Sequence, residues 1–127
     1  MKTLSGVNGI MWECIVNGIC ASRMILFPIR NFLLKLGKIE IGKNSAIHSG
    51  CYISGQKLKL GNASYINRNC LIDANHAQIV IGDNVGVGYG SIFLTTCHDY
   101  NNPDKRTGNV YGKPIVIKDG VWVGGGY

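Results

Sequence analysis

Three histidines, at positions 48, 76 and 98, are the side chains of this 127-residue sequence whose unperturbed charge change falls nearest neutrality. An imidazole of this kind can take a proton from a hydroxyl and return it to a leaving group, which is general acid–base work. His98 is the candidate for it, because it stands where a regular apolar pattern breaks off into a polar stretch. Cys97, its neighbour, is not read as a nucleophile, since adjacent residues on an extended chain point apart. Histidines can also bind zinc, but spacings of 28 and 22 give no close pair, and no metal is expected. The five cysteines, at 14, 20, 51, 70 and 97, are odd in number and lack Cys-x-x-Cys spacing, against both a disulfide framework and a zinc cluster. Reduced thiols in a cytoplasmic protein are expected, with Cys51 and Cys70 packed as small apolar groups. Asn67 and Asp73 bring an amide and a carboxylate, which together supply donors and acceptors in fixed directions. The same pair could instead make local hydrogen bonds at corners of the chain.

The pattern that would position these residues repeats every six. Ile41, Ile47 and Ile53, then Leu60, Ile66 and Ile72, then Ile81, Val87 and Phe93 form three groups with an internal spacing of six. A helix repeats near 3.6 and a lone amphipathic strand at 2, so neither accounts for it. A coil with three short flat faces does, each face contributing one inward side chain to a turn of about eighteen residues. Ordinary hairpins with Gly-Asn turns are the competing reading, but they need not stay in register over so long a stretch. The residues after the inward positions are Gly42, His48, Ser54, Gly61, Asn67, Asp73, Gly82, Gly88 and Gly124, with Leu94 and Lys118 as exceptions. Most are small, or of the Asn and Asp type, and are expected to carry the tight or left-handed backbone of the corners. The pattern resumes at Ile117 and Val123, so residues 94–116 are expected to protrude as a loop with His98 at its mouth.

Residues 1–37 carry no hexad. Ile10, Met11, Cys14, Ile15 and Ile19, then Ile25, Leu26, Ile29, Phe32, Leu33 and Leu36, follow helical spacing, with Ser22 as a cap and Pro28 in the first turns of the second helix. Glu13, Arg23, Arg30 and Lys35 interrupt the segment, so neither a membrane-spanning helix nor a signal peptide is expected. The expected division is a helical segment at 1–37, capping the open end of the coil, and a β-helix domain at 38–127. Peripheral contact of the first segment with a membrane surface is the alternative role. The net charge of +6 comes from scattered basic residues without interleaved aromatics, which disfavours nucleic acid and leaves room for an anionic ligand. A stack this short buries only a thin aliphatic column, so oligomerisation would help it.

Hexads over residues 38 to 126, the run IGDNVGVGYGSIFLTTCHDY, a polar loop and then GKPIVIKDGVWVGGG together resemble the hexapeptide-repeat acyltransferases. The likeness is to the sugar and antibiotic O-acetyltransferase branch, with the maltose, galactoside, nodulation-factor and colanic-acid acetyltransferases. It implies an all-β fold, a left-handed parallel β-helix, assembled as a homotrimer with active sites between subunits. It further implies acetyl-CoA as the acyl donor and a sugar or polysaccharide precursor as the acceptor. His98 falls where the family's catalytic base lies, and Asn67 and Asp73 fall in the acceptor-binding stretch, where Asn69 and Asn75 compete for the same assignments. Trp122 resembles the tryptophan packed near the donor, with a plain trimer contact as the equal alternative, and Gly124 follows it as a second donor-site residue. In that family further coils follow the Val-Trp-Val-Gly segment and carry the coenzyme A groove. This sequence stops at Tyr127, which implies a chain truncated at its C-terminus, and a non-catalytic β-helix with an incomplete donor site as the alternative to an O-acetyltransferase.

Overall fold

A computed structural model describes residues 6–22, 24 and 27–125; Arg23, Ile25, Leu26, Gly126 and Tyr127, used in the sequence reading, lie outside the described residues. Three parallel sheets carry the hexads. The first contains β1 (Glu40–Ile41), β4 (Leu58–Leu60), β7 (Ile79–Ile81) and β12 (Ile115–Ile117). The second contains β2 (Ala46–Ile47), β5 (Tyr65–Ile66), β8 (Gly86–Val87) and β13 (Trp122–Val123). The third contains β3 (Tyr52–Ser54), β6 (Leu71–Asp73) and β9 (Ile92–Leu94). Because consecutive strands fall on successive sheets and every third returns to the first, the chain winds as a coil.

The inward residues stack in register: Ile41 on Leu60, Leu60 on Ile81, Ile81 on Ile117, and likewise Ile47, Ile66, Val87 and Val123. Ile53, Ile72 and Phe93 form the third column. All nine hexad residues of the first three coils are buried, Ile66, Ile72 and Val87 completely. Each fully buried aliphatic side chain contributes about 1.5–3 kcal/mol. Cys51 and Cys70 are buried with them, and their thiols donate to the carbonyls of Asn67 at 3.1 Å and Gly88 at 3.3 Å.

The corners differ from the expectation in one respect. Left-handed backbone lies mostly at the third residue after the inward one, at Asn44, Gly50, Ala63, Asn69, Asn84, Gly90 and Gly120, and not at the residue directly after it. The residue directly after is small for another reason. A Cβ on Gly61 would sit 2.5 Å from the carbonyl oxygen of Gly82 in the next coil, so the coils touch there backbone to backbone. Between these positions Asn62, Asp83 and Asp119 link the coils, each side-chain oxygen accepting the amide of the coil before: Lys43 N at 2.8 Å, Asn62 N at 2.7 Å and Asp83 N at 2.7 Å.

The N-terminal segment covers the first coil. It consists of α1 (Gly6–Trp12), a π-helical stretch (Glu13–Ile19) and α2 (Phe27–Leu36), with Pro28 in the first turn of α2 as expected. Ser22 Oγ accepts from Met24 N at 3.2 Å. Val16, Cys20 and Leu34 enter the core. The edge of the first coil is met by side chains, with Trp12 Nε1 and Asn17 Nδ2 donating to Ile53 O at 2.8 and 3.0 Å and Asn31 Nδ2 to Ser45 O at 2.8 Å. Buried Arg30 donates to the carbonyls of Cys20, Ser22 and Ile47, tying turn, helix and coil together. No described helix is long and apolar enough to cross a membrane.

Ile66→Ala is expected to lower stability by about 2–5 kcal/mol in urea unfolding, because a fully buried column cannot collapse into the gap. At Gly55, φ is +84° and a Cβ would meet the carbonyl oxygen of Ala74 at 2.5 Å, so Gly55→Ala should lower the thermal midpoint as well. Burial, then Arg68 and Arg30, push the His48 imidazole below its ordinary value. Its contribution to stability is therefore full above the unfolded value of about 6.5 and is lost as pH falls toward the depressed folded value. The urea midpoint should drop between about pH 8 and about pH 5, and less so in His48→Gln.

Candidate active site

The chain leaves the coil after Leu94 and is back in the first sheet at Ile115. The excursion starts and ends as an antiparallel ribbon, β10 (Thr96–His98) with β11 (Val110–Gly112), pairing His98 with Val110. Beyond the ribbon, Asp99 N donates to Asn109 O at 2.9 Å and Gly108 N to Asp99 O at 2.8 Å, which draws the loop tight beside His98. The half-buried His98 has Nδ1 3.2 Å from Gly108 O. A carbonyl only accepts, so Nδ1 carries a proton, and in the neutral imidazole Nε2 then keeps its lone pair, the tautomer a general base requires.

Asp73 anchors the root of this ribbon. Its Oδ2 accepts from Thr96 N at 3.0 Å and its Oδ1 from Asn75 N at 3.2 Å, while its backbone carbonyl takes Thr95 Oγ1 at 2.8 Å. His76 Nδ1 lies 2.9 Å from Thr96 Oγ1, and Gly112 packs so closely on the His76 backbone that a Cβ would collide with it. Asp73 is thus engaged in corner hydrogen bonds and is brought to the strand that bears His98. The other predicted site residues lie on the second face. Asn67 directs Oδ1 to Arg68 N at 2.9 Å, and Gly124 O accepts from Ser91 Oγ at 3.1 Å in the same corner column, above Gly88. Trp122 stands outward on β13 and is 76% exposed. Among the described residues no hydrogen bond joins His98 to Asn67, Trp122 or Gly124, and no three His, Cys, Asp or Glu side chains cluster as metal ligands.

Sequence reasoning did not single out a cleft of about 100 Å³ lined by Trp12, Glu13, Ser54, Gly55 and Asn75. It lies between the helical segment and the third-face corner, where Ser54 stacks on Asp73. Glu13 accepts a hydrogen bond from the Tyr52 hydroxyl, and that bond holds the phenol above its usual value. An indole with a carboxylate, a hydroxyl and an amide is a surface suited to a polyhydroxy ligand. Its members come from three separate parts of the chain, so no local motif announces it.

Comparison with known proteins finds several similar sequences. Nodulation protein L of Rhizobium meliloti (strain 1021) is 29% identical over 97 residues, 76% of this chain and 52% of its own length. Galactoside O-acetyltransferase of Escherichia coli (strain K12) is 29% identical over 96 residues, 75% of this chain and 47% of its own. The sophorolipid acetyltransferase of Starmerella bombicola is 38% identical over 71 residues, 54% of this chain and 26% of its own. The chain is therefore similar, at about 29% identity over three quarters of its length, to a protein named as a galactoside O-acetyltransferase. It spans about half the length of the first two of these relatives. No family model and no solved structure matches it.

If Asp73 anchors the ribbon, Asp73→Ala should speed amide exchange at Thr96 in native-state hydrogen exchange, by roughly tenfold for a lost charge-assisted bond of about 1.5 kcal/mol. Exchange at Ile66, on another face, should be unchanged.

Proposed function

We propose that this chain is the core of an O-acetyltransferase that moves an acetyl group from coenzyme A to a hydroxyl of a sugar or polysaccharide precursor. The observation that carries the reading is the His98 Nδ1 contact with Gly108 O on a ribbon anchored by Asp73, which leaves Nε2 as the base. Nε2 takes the acceptor's proton as its oxygen attacks the thioester carbonyl. The tetrahedral oxyanion collapses, the carbon–sulfur bond breaks, and the imidazolium returns the proton to the leaving thiolate. Backbone N–H groups would stabilise the oxyanion, and no covalent enzyme intermediate is involved.

In this reading Asn67 and the Glu13–Asn75 cleft contact the acceptor, and Asp73 acts there or by positioning the ribbon. Trp122 and Gly124 belong to the donor site. We propose in addition a homotrimer in which neighbouring subunits complete each site, as the resemblance of the sequence to the hexapeptide-repeat acyltransferases implies. We further propose a left-handed coil, a division into a helical segment at 1–37 and a β-helix domain at 38–127, and a cytoplasmic location. The names of the galactoside and sophorolipid acetyltransferase relatives, with the coil and its loop, support the acetyltransferase reading.

Acetyl transfer from acetyl-CoA to a panel of glycans is expected for the wild type, and His98→Ala should reduce it by about 10²–10⁴-fold with little change in acceptor KM. Equal rates in the two proteins would refute His98 as the base. Failure of the wild-type chain to bind acetyl-CoA in calorimetry would instead favour a non-catalytic coil.

A further inference from the structure

The helical segment covers the coil with one side and presents an apolar surface on the other. On α2, Ile29, Phe32 and Leu36 recur at helical spacing and are 51%, 61% and 65% exposed, whereas Leu34 is buried against the coil. On α1, Ile10 and Met11 are exposed as well. Between them runs a groove of about 450 Å³ lined by Met11, Trp12, Ile15, Leu33 and Leu36 among others. Single exposed apolar residues are ordinary, but a set of this kind on two helices around a groove marks an interaction surface.

Charge decides what fits it. Lys35 lies in the last turn of α2 and Lys38 just beyond, both exposed. Through residue 38 the basic residues are Lys2, Arg23, Arg30, Lys35 and Lys38, and the one acidic residue is Glu13. Glu13 is engaged by the Tyr52 hydroxyl of the coil. A second copy docking through the same surface would set lysines against lysines, with Glu40 already beside Lys59 at 3.9 Å, because a twofold contact pairs a surface with itself. A layer of anionic headgroups above acyl chains complements both features, taking the apolar stripe into the acyl boundary and the lysines at headgroup level.

We propose that this helical face docks on the surface of an anionic lipid bilayer, with Ile29, Phe32 and Leu36 inserted and Lys35 and Lys38 at the phosphates. The docking is peripheral, since no described helix is long and apolar enough to cross a membrane. It does not rest on the catalytic reading, which turns on the His98 ribbon, although Trp12 lines both this groove and the Glu13–Asn75 cleft.

Co-sedimentation of the full chain with vesicles of phosphatidylglycerol and phosphatidylcholine, and of phosphatidylcholine alone, tests it. Saturable binding to the anionic vesicles is expected, weakening as salt rises. The double variant Phe32→Glu and Leu36→Glu should reduce binding by about tenfold or more. The double variant Lys35→Glu and Lys38→Glu, which alters only exposed side chains and so keeps the fold intact, should reduce it by about tenfold too. The same charge change at Lys105 and Lys113, on the excursion, should leave binding unchanged. Three results would overturn the proposal: wild type remaining in the supernatant with anionic vesicles, equal loss from the Lys105 and Lys113 pair, or self-association through this face without vesicle binding.

Discussion

Every part of this molecule depends on coils stacked at the strand-to-strand hydrogen-bonding distance of about 4.8 Å. At that spacing each residue lies directly above its counterpart one coil away, so a choice made at one position is imposed on its column. Aliphatic side chains stack on aliphatic side chains, from Ile47 through Ile66 to Val87. Where backbones meet, as at Gly42, Gly61 and Gly82, there is no space for a side chain. Where the turn leaves amides pointing along the axis, Asn62, Asp83 and Asp119 accept them. The left-handed residues are a separate requirement, placed where the chain turns a corner from one face to the next.

A stack of this kind has two open ends and no broad core, and its first end would otherwise expose a row of unmet carbonyls. The helical segment meets this with polar side chains and not only with apolar cover: Trp12, Asn17, Arg30 and Asn31 donate to carbonyls of the first coil. Arg30 is the most committed of them, with its guanidinium buried and directed at three carbonyls. Helix and coil are therefore coupled by directional bonds as well as by apolar contact.

The candidate chemistry stands at the one place where the stacking is interrupted. Leaving the coil frees the chain to form an antiparallel ribbon, whose strands alternate their side chains and so present His98 apart from Cys97. The same interruption creates amides with no coil to bond to. Asp73, at the end of the third-face strand below, accepts one of them at Thr96 and joins the ribbon to the rigid stack. Asp73, read from its residue type as a ligand-binding carboxylate or a corner residue, is at minimum the latter.

The inward columns, the interruption and the position of His98 at its start were legible in the sequence, because a period of six is a direct image of one face per strand. The helical character of the first segment was legible for the same reason, through its own period. What the sequence did not disclose is what depends on residues far apart in the chain or on backbone detail. The partner that sets the His98 tautomer is a carbonyl in an aperiodic loop. The Trp12, Glu13, Ser54 and Asn75 cleft joins segments that no short-range pattern relates. Small corner residues were read as turn formers, but side-chain size alone does not separate a tight φ from a close approach, and only the stacked structure assigned Gly61 to the second and Asn44 to the first. Periodicity is a property of the chain and was readable from it; contact between distant residues is a property of the coil, and only the tertiary structure decided it.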